Sequence, residues 1–406
     1  MPDLLFLSHR VPYPPDKGDK IRAWHLLQHL ARFYRIHLGC LIDDPQDREH
    51  LGELRRICER VGGFDVHPAL QKIRAVAGMR RGKPLTADVF FHPGLAQWVA
   101  DSLSAHHIDA VFMFSSGMAR YAEGRPGPLR ILDMVDVDSE KWREYADYHH
   151  WPLRALYRRE AATLLALERR AALEFDATLF VSQAEARHFA ALAPECRDKI
   201  AWVENGVDAD RFSPAHLFAR PFPADTVNLV FTGTMDYWPN ADAVEWFARQ
   251  VMPLLAGRQP EVQFHIVGAR PSRAVRRLAH LPHVHVTGRV PDVRPFIAHA
   301  DAVVAPLRVA RGIQNKVLEA MAMARPVVAT PEAFAGLRAR PGRDLLVCAT
   351  PGEMARRLLD IIEGRYAGLG AAARAVVQHD YSWCQTLQRL DGFLAPPLCS
   401  AVRAQA

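Results

Sequence analysis

The stretch "DAVVAPLRVARGIQNKVLEAMAMARPVVATP", Asp301–Pro331, passes from a run of small and β-branched apolar residues through a loop with one glycine into a helical stretch, and then into a second β-branched run. Neither apolar run alternates with polar residues, which is the pattern of strands buried on both faces of a parallel sheet. At about 100° per residue, Val317, Leu318, Met321 and Ala322 fall on one side of the intervening helix, and Lys316, Glu319 and Met323 on the other. Taken alone, Lys316 and Glu319 form an exposed i,i+3 ion pair worth a few tenths of a kcal/mol. Their position argues for more. The helix starts just past the carboxyl end of a buried strand, the place where open parallel sheets bind ligands.

The same alternation of apolar runs and helical segments extends both ways. Before residue 206 the strands are "DLLFLSH", "RIHLGCLI", "DAVFMFSS", "LRILDMVD" and "ATLFVSQ", closed by "IAWVENGVD". After the proline-rich, strandless "RFSPAHLFARPFPADT", which reads as a linker, the alternation restarts with "VNLVFTG", "VQFHIVG", "HVHVTG", "DAVVAPL", "RPVVATP" and "DLLVCA". The expected architecture is α/β, with two Rossmann-like domains whose parallel sheets face across a cleft. The first spans residues 1–205 and the second 206–375, and residues 376–406 supply a helix crossing back to the first.

With 406 residues, 49% hydrophobic and 24% charged, the chain has ordinary globular composition. A net charge of +6 and a pI of 9.1 favour anionic partners, but no basic run interleaved with aromatics resembles a nucleic-acid module. Cys40, Cys58, Cys196, Cys348, Cys384 and Cys399 are scattered without a C-x-x-C pair, so neither a zinc site nor a disulfide framework is expected, and a reducing compartment fits. The N-terminal "MPDLLFLSHRVPYPP" reads as a first strand and not a signal peptide. No apolar run reaches the length of about 18 residues that a membrane span needs.

Three other stretches carry chemistry. In "SHRVPYPPDKGDKIRAWHLLQHLARF", Gly18 permits close backbone approach, and Lys17, Lys20 and Arg22 surround a helix start, a place for phosphate. His9, Gly18, Asp19 and Lys20 are its candidate residues. In "DMVDVDSEKW", Asp136 and Asp138 have the D-x-D spacing that clamps a divalent ion on a diphosphate. Either aspartate also suits a helix N-cap or, facing a cleft, a contact with acceptor hydroxyls. The basic, amphipathic "WPLRALYRREAATLLALERRAALEF" is the candidate for resting on anionic lipid, against the plainer reading of a surface helix packed on the first domain. Neither a Walker A sequence nor a usable dinucleotide fingerprint occurs, because "GLGAAA" (368–373) lies within a helical segment with no strand before it.

"VENGVDADRFSP", "GTMDYWPNADAV", "HVHVTGRVPDVRPFIAHADAVVAPL" and "QNKVLEAMAMARPVVAT" together resemble the retaining glycosyltransferases of family 4, which have the GT-B fold. "SHRVPYPPDKGDKIRAWHLL" and "DMVDVDSEKWREYA" resemble more narrowly the sugar transferases associated with exosortase-type exopolysaccharide loci. The resemblance implies a cytoplasmic enzyme that transfers a sugar from a nucleotide-diphosphate donor to a saccharide or lipid-linked acceptor. It further implies retention at the anomeric carbon, with neither a metal nor another cofactor. Peripheral contact with the inner face of the membrane is compatible with such an acceptor.

By the same resemblance Glu319 accepts hydrogen bonds from the donor ribose, and Gly233, Thr234, Arg289, Gly312 and Asn315 belong to the donor site. The family places another glutamate eight residues before Glu319, where this chain has Arg311, and usually a basic residue after the glycine strand end, which here reads Gly233, Thr234, Met235. Arg311 and Lys316 are therefore the expected cations for the diphosphate leaving group, with Arg289 assisting. Two rivals carry different chemistry: a nucleotide-sugar epimerase on the same fold, and a nucleotide-sugar-binding protein without catalysis.

Overall fold

The computed structural model describes residues 1–15, 17–66, 82–310 and 312–394, so Arg311 and Cys399 lie outside the described residues. The chain divides into two units: Met1–Glu204 with the chain from Leu387 onward, and Asn205–Thr386.

The first unit is a seven-stranded parallel sheet, β1 (Asp3–Ser8), β2 (Arg35–Ile42), β3 (Arg60–Asp65), β4 (Ile108–Phe114), β5 (Leu129–Val135), β6 (Ala177–Phe180) and β7 (Ile200–Trp202), in the order β3-β2-β1-β4-β5-β6-β7. All of β1 is buried, as its unbroken apolar run requires. β3 has no counterpart among the expected strands. Its sequence "RVGGFD" is poor in β-formers, but Gly62 and Gly63 let Trp98 and Leu51 close on the sheet: a Cβ at Gly62 would lie 2.9 Å from the Trp98 ring.

The helices that position chemistry here are α1 (Gly18–Leu30), α2 (Asp138–Asp147) and α3 (Leu153–Glu174). Within α1, Arg22 is 1% exposed and bonded to the fully buried Asp133 of β5, Nε to Oδ2 at 2.8 Å and Nη2 to Oδ1 at 3.2 Å. Burial raises the Asp133 carboxyl, and the guanidinium opposes that rise. Removing one partner strands the other in the interior. Asp133→Ala is expected to destabilise the first unit by about 3 to 5 kcal/mol in denaturant titration, and an unchanged midpoint would refute this account.

The second unit is a six-stranded parallel sheet, β8 (Val227–Thr232), β9 (Val262–Val267), β10 (Val284–Gly288), β11 (Ala302–Ala305), β12 (Val327–Ala329) and β13 (Leu346–Val347), in the order β10-β9-β8-β11-β12-β13. Its relevant helices are α4 (Trp238–Trp246), α5 (Asn315–Ala322) and α6 (Leu369–Asp380). The "GLGAAA" glycine serves packing between helices: a Cβ at Gly370 of α6 would lie 2.0 Å from the carbonyl oxygen of Ala324, just past α5.

Two expectations are corrected here. The proline-rich segment is no linker: Phe222 is buried in the second unit, with its ring 4.3 Å from His265 and 5.7 Å from Phe296, and Phe212 and Phe218 pack against the same core. Aromatic burial fixes a segment that its prolines deny to regular structure. The return to the first unit begins at Leu387 and not at residue 376, because α6 belongs to the second core, and beyond it Asp391 accepts from His29 at 2.7 Å.

Candidate functional site

In the second unit strand order reverses at β8, which has β9 on one side and β11 on the other, so the loops leaving β8 and β11 diverge and open a crevice at their carboxyl ends. Gly233 ends β8. Here β8 and β9 come close: a Cβ on Gly268 would lie 1.7 Å from the Gly233 carbonyl oxygen, and a Cβ on Gly233 would lie 2.8 Å from Asn240 Nδ2 and 3.4 Å from Lys316 Nζ. Glycine is needed at both positions for lack of room.

Lys316 lies in the first turn of α5. Its ammonium donates to Asn240 Oδ1 at 2.5 Å and lies 4.5 Å from the centroid of the Phe231 ring. Asn240, buried in α4, turns its Nδ2 to the Thr234 carbonyl at 2.8 Å. A lysine donor on one side and a carbonyl acceptor on the other fix which way the amide points. Burial pushes the Lys316 ammonium down to about 7, with Glu319 opposing. Burial likewise pushes Glu319 up to about 7, against the charges of Lys316 and Arg211. The pair is thus partly buried and not a solvated ornament. Met323, expected on the charged side, is fully buried, because the short α5 is packed on almost every face.

Around these two lie the other expected donor residues. Asn315 opens α5 with its Oδ1 buried and without a hydrogen-bond partner, and the preceding Gln314 forms no side-chain cap. Gly312 takes a φ of 62°, which a side chain would strain. Thr234 and Arg289 are exposed in the loops after β8 and β10. Arg211 was not anticipated. Arg374 of α6 positions its segment by donating to the carbonyls of Ala209 (3.2 Å), Phe212 (3.1 Å) and Ala322. "VENGVDADRFSP" therefore brings a cation towards Glu319. Asn240 and Arg374 were also missed; an asparagine behind a proline in a helix's first turn was the available signal for the former.

The first unit has its own reversal, at β1 between β2 and β4. His9, at the end of β1, lies between Phe90 (5.3 Å, edge-on) and Phe114 (5.6 Å, stacked), with Nε2 3.4 Å from Asp19 Oδ2 and Nδ1 buried without a partner. Burial opposes the charge on Asp19, but the His9 bond and the Arg10 guanidinium, at 2.6 Å, hold its carboxyl far below the usual range.

Two of the three cations expected around this helix start are held by carboxylates. Lys20 is 2% exposed with its Nζ 2.7 Å from both Asp47 oxygens, Arg22 is held by Asp133, and a Cβ at Gly18 would meet nothing within 4 Å.

At the end of β5, Val135 sits at a φ of 69°, a left-handed conformation costly for a β-branched residue, and strain of this kind gathers at functional sites. Neither aspartate caps α2, since Val137 holds that position and Asp138 is the first helical residue. Lys141 Nζ bridges the D-x-D pair, 2.9 Å from Asp136 Oδ2 and 3.1 Å from Asp138 Oδ1, while Ser116 Oγ donates to Asp138 Oδ2 at 2.8 Å. Beneath them Glu168, pushed up to about 8 by burial and by Asp138, accepts from the amide and hydroxyl of Ser139.

Two parallel-sheet Rossmann-like units, each with polar groups gathered at its strand reversal, define a protein of the GT-B class. Residues 226–364, within the second unit, match the family model described as glycosyl transferases group 1. A GDP-mannose-dependent monoacylated alpha-(1-6)-phosphatidylinositol monomannoside mannosyltransferase of Corynebacterium glutamicum is 28% identical over 245 residues, covering 56% of this chain and 64% of the relative's length. Among solved structures, Anabaena HepE in complex with UDP is 17% identical with a TM-score of 0.66, over 97% of this chain and 99% of that one. Sucrose-phosphate synthase of Thermosynechococcus elongatus is 14% identical with a TM-score of 0.67, over 100% of both chains. These two share the fold.

Proposed function

We propose that the protein is a retaining, metal-independent glycosyltransferase that moves a sugar from a nucleotide-diphosphate donor to a saccharide or lipid-linked acceptor in exopolysaccharide or cell-surface glycan assembly. The observation that carries this reading is the partly buried Lys316 and Glu319 on one turn of α5, beside the backbone approach of Gly233 and Gly268. An ionised carboxylate is acceptor-only and takes both vicinal hydroxyls of a ribose. A lysine held in a dry site stabilises the charge that grows on a departing diphosphate far better than one in water. The amides opening α5, Asn315 among them, add donors for the same phosphate. Exposed Arg289 and Thr234 complete the proposed donor site, to which the sequence adds Arg311, four residues before Asn315.

Acceptor hydroxyls meet the first unit in this reading, at His9 and at Asp136 or Asp138. Lys141 already supplies a cation between the two aspartates, which supports a role for them without a divalent ion. The leaving phosphate takes the acceptor proton, with attack from the face it vacates. The resemblance of the proline loop and of "DMVDVDSEKWREYA" supports work alongside exosortase-type systems, on the cytoplasmic side of the membrane.

Incubating the protein with nucleotide sugars and a lipid-linked acceptor pool tests the proposal. The expected product keeps the donor's anomeric configuration; donor conversion without an acceptor would identify an epimerase instead. Activity is expected to survive a chelator unchanged, and loss reversed by manganese would return Asp136 and Asp138 to metal binding.

A further inference from the structure

The amphipathic segment from Trp151 to Phe175 had two readings, resting on anionic lipid or packing on the first domain, and the apolar stripe of α3 is spent within the fold. Ala161, Leu164, Leu167, Ala171 and Ala172 are buried, with Leu164 and Leu167 packed beside Ala87 and Trp142. The exposed apolar surface lies at the start of that segment and in the turn before it, which joins α2 to α3. All residues from 147 to 155 are exposed, and within them Tyr148, Trp151 and Leu153 are 67%, 83% and 45% exposed. Large apolar side chains crowded so closely in the open mark a contact surface.

The turn is built to hold its shape. The rings of Trp142, Tyr145, His149 and Tyr157 pack with centroids 5.1 to 6.3 Å apart, and His149 Nδ1 bonds the Tyr145 carbonyl at 2.7 Å. From Tyr148 to Arg159 the sequence "YHHWPLRALYRR" contains three arginines, two histidines and no carboxylate. Arg154 and Arg158 are exposed on the first turns of α3. The exposed turn has one carboxylate, Asp147 at its start, which lines a surface cavity with Arg158. Apolar rings at a tip with cations in excess complement an anionic bilayer, where tryptophan and tyrosine sit at headgroup depth and arginines meet lipid phosphates.

We propose that the α2–α3 turn is a membrane-docking tip that inserts Trp151 and Leu153 between anionic headgroups, with Arg154 and Arg158 on the lipid phosphates. The tip names the partner surface for the lipid-linked acceptor reading, and its test needs neither donor nor acceptor, so the two stand or fall separately. The full chain is expected to co-sediment with phosphatidylcholine–phosphatidylglycerol vesicles and not with phosphatidylcholine alone, with binding weakened by salt.

Arg154→Gln with Arg158→Gln is expected to weaken binding about 25-fold, since each arginine near an anionic surface contributes on the order of 1 kcal/mol. Trp151→Ser with Leu153→Ser is expected to abolish it. Trp151→Leu is expected to bind yet lose the part of fluorescence quenching that lipids brominated on the acyl chain produce in the unchanged protein. Equal binding to both vesicle types, or variants that bind as the parent does, would overturn the proposal. So would self-association in solution that Trp151→Ser abolishes, because the tip would then be an interface between copies of the chain.

Discussion

Replacing Lys316 with alanine is expected to lower kcat and kcat/KM together by about a thousand-fold, the range seen when one preorganised charge-stabilising group is removed from a site. Both constants fall because the diphosphate gains charge as the sugar departs, so the ammonium contributes more to the transition state than to bound donor. Asn240 holds the ammonium in place through a 2.5 Å hydrogen bond. Asn240→Ala is expected to reproduce a smaller part of the loss with the lysine still present.

The pH profile gives a second readout. Lys316 and Glu319 both sit near 7 in the free protein, lysine lowered and glutamate raised by burial. The active form carries Lys316 charged and Glu319 ionised. kcat/KM therefore falls below about 7 as Glu319 takes a proton, and falls above about 7 as Lys316 loses one, giving a bell centred near neutrality. Glu319→Gln is expected to remove the acid limb and keep the alkaline one. A Lys316→Ala variant with near-parental kcat would sink the leaving-group role.

Glu319→Ala is expected to weaken nucleoside-diphosphate binding about 10- to 100-fold in calorimetric titration, on the scale of one or two hydrogen bonds to a charged acceptor. The discriminating comparison is a 2′-deoxy nucleotide, which offers one hydroxyl fewer. The parent protein is expected to discriminate against it, and the variant to bind both alike. Unchanged affinity of Glu319→Ala for the ribonucleotide would end the ribose assignment. Arg211, whose charge favours the ionised form of Glu319, makes a related prediction possible: Arg211→Gln shifts the acid limb of the profile to higher pH without abolishing turnover.

Of the thirteen strands among the described residues, twelve announce themselves in the sequence, most of them because a strand buried on both faces is apolar along its length, and that is a local property. β3 does not, since its two glycines serve the approach of Trp98 and Leu51 from elsewhere in the chain. Helix spacing and a preceding strand placed Glu319 and Lys316 at the candidate site, and the resemblance supplied their proposed roles. The site was not legible at Asn240, Arg211 or Arg374, whose roles depend on which segments the fold brings to α5.

Lys20 and Lys316 show where the division falls. Each is a lysine in the first turn of a helix that follows a buried strand, with a glycine close before it, and locally both suit a phosphate. Lys20 ends on a carboxylate 27 residues away, fully paired and closed off, whereas Lys316 donates to a neutral amide 76 residues away that holds its position, with Glu319 as its charged neighbour. By itself the sequence determined the two parallel-sheet halves and the helices that open at their carboxyl edges, since periodicity and burial act over neighbouring residues. Only the tertiary structure decided which cation remains for a ligand, because the pairing of a buried charge is set by whatever distant group the fold places against it.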